Sequence, residues 1–84
     1  MNNATMLQVV LRYVLGIPVG VDVTSVKYGD APAGAEWDSL RHMVLCTMIE
    51  DQFNVMIDIE LISRIRSYAD AITILTELGV DFDV

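Results

Sequence analysis

The stretch from Gly16 to Trp37 constrains the fold more than any other part of the chain. It holds Gly16, Gly20, Gly29 and Gly34 together with Pro18 and Pro32, residues that discourage both helix and strand. Irregular connections beyond about 12–15 residues are uncommon in compact domains, so a loop from Ile17 to about Trp37 must be fastened down. Val19, Val21, Val23 and Val26 alternate as a strand would. No second run is available to pair with them, and a lone strand is not stable. They are read as anchors that tie the loop onto helices, and the expected class is all-α.

Helical signals flank this loop. Leu7, Val10, Leu11 and Val14 recur at three- and four-residue spacing, which predicts a helix over 3–15. Asn3 or Thr5 would cap its start, and Gly16 with Pro18 would stop it. A second helix is expected over 39–53, with Asp38 as its N-cap. A short third helix is expected over 58–64, with Ile59, Ile62 and Ile65 facing inward. The fourth is expected over 68–78. Ser67-Tyr68-Ala69-Asp70 reads as its capping box, Ala71, Ile72, Leu75 and Leu78 as its apolar stripe, and Gly79 as its stop. With 84 residues the chain makes one domain, 1–84.

Composition narrows the function. Hydrophobic residues are 54% and charged ones 20%, which is the balance of a folded chain rather than a disordered one. Twelve acidic residues against five basic give a net charge of −7, so nucleic acid and anionic membrane surfaces repel it and basic protein patches attract it. The apolar run Met6 to Val23 is broken by Arg12, Gly16, Pro18, Gly20 and Asp22, so no membrane insertion is expected. The single cysteine, Cys46, excludes an internal disulfide and any cysteine zinc cluster. A cytoplasmic location follows as the expectation. Asp58, Glu60, Asp81 and Asp83 lack the spacing of a calcium loop and are read as a solvated acidic face.

The second helix is too apolar for an ordinary amphipathic one. If Leu45, Ile49 and Phe53 face the core, Met43, Val44 and Met48 are left largely solvent-facing or peripheral. They then form an adaptable contact surface, or the long loop covers them. Ser39 opens this helix, where backbone N–H groups and the helix dipole favour a negative group. Taken alone, Asp38-Ser39 is the pattern of a plain helix cap.

The larger pattern goes further. Trp37-Asp38-Ser39-Leu40, Ile49-Glu50-Asp51-Gln52-Phe53-Asn54-Val55 and Ile65-Arg66-Ser67-Tyr68-Ala69-Asp70-Ala71-Ile72 stand in order. Together they resemble the acyl carrier protein family over nearly the whole chain. The resemblance implies a four-helix bundle of the acyl-carrier type, with three longer helices, a short third helix and a long first loop. It implies 4′-phosphopantetheine joined to Ser39 by a Mg²⁺-dependent phosphopantetheinyl transferase, with Asp38 as a recognition residue for that enzyme. Leu40, Met43, Val44 and Met48 would form the partner surface. The chain would be no enzyme itself. It would present an acyl or aminoacyl thioester to an activating enzyme and to downstream transferases. Arg41, His42 and Val44 stand where carriers of fatty-acid synthesis usually place acidic residues, and Trp37 precedes the Asp-Ser-Leu triplet. These departures point to a specialised pathway rather than the housekeeping carrier. The alternative is an unmodified helical adaptor that uses the same scaffold to bind a protein.

Five side chains carry their own expectations. His42, three residues after Ser39, would sit at the core edge beside Leu45 or contact the phosphate of the arm. A Ser39–His42 hydrolase pair is set aside, since no carboxylate is placed to orient the imidazole. Cys46 is expected to be buried and inert. Trp37 would either staple the loop before the helix cap or shield a carried group. Arg64 and Arg66 are expected in local ion pairs of small worth.

Overall fold

The computed structural model describes residues 1–30 and 36–82. Among them run four α-helices and no strand: α1 (Asn3–Leu15), α2 (Ser39–Phe53), α3 (Ile59–Arg64) and α4 (Tyr68–Glu77). No helix among these residues is long and apolar enough to cross a membrane.

Each helix begins where a side chain caps it. Asn2, rather than Asn3 or Thr5, caps α1 by accepting the Thr5 N–H at 2.8 Å. Asp38 accepts the Arg41 N–H at 2.8 Å and Asp58 accepts the Leu61 N–H at 2.9 Å. Ser67 accepts the Asp70 N–H at 3.1 Å. The Asp70 carboxylate reaches past Ser67 to the Arg66 N–H at 3.0 Å, one residue earlier than a standard capping box. α1 ends on Gly16 at φ +68°, a left-handed conformation that glycine adopts without strain. α2 ends on Asn54 in the same conformation, which asparagine tolerates better than most residues.

Leu7, Leu11 and Leu15 of α1, Leu45 and Ile49 of α2, and Ala71, Ile74 and Leu75 of α4 form the centre of the core. Each fully buried Leu or Ile removes enough apolar surface to favour folding by about 1.5–3 kcal/mol. α1 packs against both α2 and α4. Phe53 is only half buried, against Phe82.

The long loop is fastened as its valines suggested, with one exception. Val23 and Val26 are buried and Val21 packs on the core, but Val19 is 92% exposed. The cause is the turn at Pro18, which Arg12 grips from α1: its Nη1 donates to the Pro18 and Val21 carbonyls at 2.6 and 3.2 Å. Val19 lies on the outside of that turn. Val23–Ser25 form one turn of 3₁₀ helix, capped by Asp22. An isolated antiparallel bridge then joins Lys27 to Ser67, and the Tyr28 N–H donates to the Arg66 carbonyl at 2.8 Å. Pro32 and Gly34 lie outside the described residues, as does Asp83.

α3 corrects a second expectation. None of its six residues is fully buried: Ile62 is half buried against the core as expected, but Ile59 is 84% exposed instead of facing inward. The helix runs along the rim of the core, and the chain enters the core on either side of it, through Ile57 and Ile65. The approach is held by Glu50 of α2, whose carboxylate accepts the Ile57 N–H at 2.8 Å.

Candidate functional site

Ser39 is the first residue of α2 and is exposed. Its position is set from both sides. Asp38, in extended backbone conformation, closes the first turn through the Arg41 N–H and through the His42 N–H on its carbonyl at 2.9 Å. Before it, Trp37 is tied back to the loop: the Gly29 N–H donates to the Trp37 carbonyl at 2.9 Å and the Trp37 N–H to the Asp30 carbonyl at 3.2 Å. Gly29 holds φ +94° there, a conformation that side chains other than glycine's resist. Among the described residues the Ser39 hydroxyl makes no hydrogen bond, nor do the N–H groups of Ser39 and Leu40. Tyr28, Asp30, Glu36 and Trp37 border a shallow hollow of about 350 Å³ that opens at Ser39.

Leu40, Met43 and Val44 follow on the outer side of α2, each at least half exposed. Met48 is half buried and packed against the core, the peripheral one of the three. Met43, Val44, Thr47, Met48 and Asp51 line a shallow groove of about 300 Å³. Among the described residues the loop does not cover Met43 and Val44.

His42 is deeper than the core edge. Trp37 Nε1–H donates to its Nδ1 at 3.0 Å, and its Nε2 lies 2.7 Å from the Ile62 carbonyl oxygen. Both nitrogens are therefore engaged, and neither is free to take a proton from Ser39 or to touch a phosphate held there. The Trp37 side chain is buried, and its indole serves as the staple that joins loop to helix. Tyr28 is inclined steeply to both rings, at 6.3 Å and 61° from Trp37 and at 5.3 Å and 85° from His42. Arg66 lies over the Tyr28 ring at 4.4 Å and donates from Nε to the Ser63 carbonyl. It is thus used in stacking, whereas Arg64 makes an exposed pair with Glu77 at 3.7 Å. Sequence reading missed Tyr28 in this cluster. No periodic signal links it to α2, because it belongs to the irregular loop.

Cys46 is buried, and burial pushes its thiol up to about 11, with the Glu50 carboxylate adding to the effect. Its sulfur lies 3.9 Å from His42 Nε2. Among the described residues no three His, Cys, Asp or Glu side chains stand close enough to hold a metal ion. Comparison with family models, with curated proteins and with solved structures returned no match.

Proposed function

We propose that this chain is a carrier protein of the acyl-carrier type, a four-helix bundle whose Ser39 takes up 4′-phosphopantetheine. The observation that carries the reading is Ser39 itself, exposed at the start of α2 with its hydroxyl unbonded among the described residues. An attached phosphate would lie against the Ser39 and Leu40 N–H groups, at the positive end of the α2 dipole. Asp38 fixes that turn and offers the transferase a carboxylate beside the serine. When attached, the group supplies a thiol that holds an acyl or aminoacyl unit as a thioester, and its tether raises the effective concentration at partner enzymes. Leu40, Met43, Val44 and Met48 meet those partners, namely the phosphopantetheinyl transferase, an activating enzyme and downstream transferases. The pathway is a specialised one in the cytoplasm, and the chain contributes no catalysis.

A second reading rests on the same exposed row of Leu40, Met43 and Val44, which would serve an unmodified adaptor equally well. Intact mass after incubation with coenzyme A, Mg²⁺ and a broad-specificity phosphopantetheinyl transferase separates the two. The expected result is one phosphopantetheinyl adduct, located on Ser39 by fragmentation and absent from a folded Ser39→Ala variant. No adduct, with a known carrier converting in the same tube, favours the adaptor. An adduct on Ser39→Ala overturns the site.

A further inference from the structure

Trp37, His42 and Ile62 are joined by a hydrogen-bonded chain that crosses three parts of the fold: the end of the loop, α2 and α3. The partners fix each role. An indole N–H only donates and a carbonyl only accepts. His42 must therefore accept at Nδ1 and donate from Nε2, which is the neutral Nε2–H tautomer. His42 is 7% exposed and Trp37 2%, so water is poorly placed to replace a lost partner.

We propose that His42 is a pH-sensitive latch, whose neutral ring ties the loop to α3 and whose protonation releases Trp37. An imidazolium carries a proton on both nitrogens, so its Nδ1–H would meet the Trp37 Nε1–H donor to donor. The Ile62 carbonyl still accepts from Nε2–H, so the conflict is confined to the Trp37 side. The loop contributes the Tyr28 ring, its plane at 85° to the imidazole, and the Arg66 guanidinium stacked on that ring brings a like charge nearby. α2 contributes the Cys46 sulfur, and α3 the Ile62 carbonyl. No carboxylate, and no titratable group of α1 or α4, is among the hydrogen-bond or ring contacts of His42 in the described residues. Releasing Trp37 loosens the segment that closes on Gly29 and Asp30 and leads directly into the cap of α2. The latch does not depend on Ser39 being modified.

The chain holds one tryptophan and one histidine, so indole fluorescence and imidazole ¹⁵N–¹H shifts each report on a single residue. In the full chain, acidification that protonates the ring, read from its ¹⁵N–¹H shifts, should move the Trp37 emission to longer wavelength. The Tm should fall by roughly 4–8 °C, the shift expected in a small domain for one lost buried hydrogen bond. The emission midpoint should coincide with the ring titration. His42→Gln keeps an acceptor and a donor but does not titrate, and its emission should stay constant. A wild-type emission that does not change as the ring gains its proton, or a His42→Gln response equal to the wild type's, overturns the latch. If His42→Gln does not fold, the wild-type midpoints decide: coincidence supports the proposal, and an emission change at a pH where the ring does not titrate overturns it.

Discussion

Cys46 follows His42 by one turn of α2, and its environment fixes its chemistry. The thiolate is the reactive form, and a thiol raised to about 11 from an ordinary 9.0 is almost wholly protonated near neutrality. Iodoacetamide at about pH 7.5 should therefore label Cys46 only after denaturant is added; rapid labelling of the native protein would contradict its burial. The same shift makes stability depend on pH. Between 9 and 11 the folded chain keeps a proton that the unfolded chain has lost, so this contribution is complete below 9 and fades as pH rises to 11. Other groups titrate there too, so the quantity to read is wild type minus Cys46→Ala in urea midpoint across that range. A difference that stays flat would sink the argument. That Cys46 is buried was legible, because it lies in an apolar run of a helix. The partners of His42 were not, since Trp37 and Ile62 stand five and twenty positions away and meet it only once the loop and α3 are in place.

The helices are marked by local chemistry at their ends. Asp38, Ser67 and Gly79 do what their residue types suggest, because a cap needs only three or four neighbouring residues. Gly79 sits at φ +98°, and the Val80 N–H returns to the Leu75 carbonyl at 2.9 Å. Leu78 still donates to Ile74, yet its backbone has left the helical region, so α4 closes at Glu77. What a helix faces is a different matter. Ile59, Ile62 and Ile65 recur at three-residue spacing, but α3 lies on the rim, and of the three only Ile65, beyond its end, is buried. The Ser67 cap gives the element-scale test. Ser67→Ala removes the acceptor for the Asp70 N–H and should cost about 0.5–2 kcal/mol in urea unfolding. Its position beside the Lys27 bridge makes the upper half of that range the expectation. An unchanged midpoint would mean that the hydroxyl does not hold the first turn of α4.

At the scale of the whole molecule the loop is a packed layer of the fold. It lays Val23 and Val26 into the core, pairs with the chain before α4 through Lys27 and Tyr28, and is held to α1 by Arg12. The sequence showed that such a loop needed fastening but not which valines do it, because burial is decided by the Pro18 turn and the Arg12 grip. This yields a paired test on residues of one type. Val23 is 2% exposed and Val19 92%. Val23→Ala deletes two buried methyl groups, about 1.6 kcal/mol at roughly 0.8 each before any cavity cost. Val19→Ala should stay within about 0.5 kcal/mol of wild type. The probes matter as much as the size. Trp37 reports on the end of the loop, while far-ultraviolet circular dichroism reports on the helices. If the loop is integral, both signals of Val23→Ala move together to a lower midpoint, as one cooperative transition requires. If the Trp37 signal shifts alone, the loop is a separately melting flap, and Ser39, which follows it directly, is positioned by α2 without help from the loop.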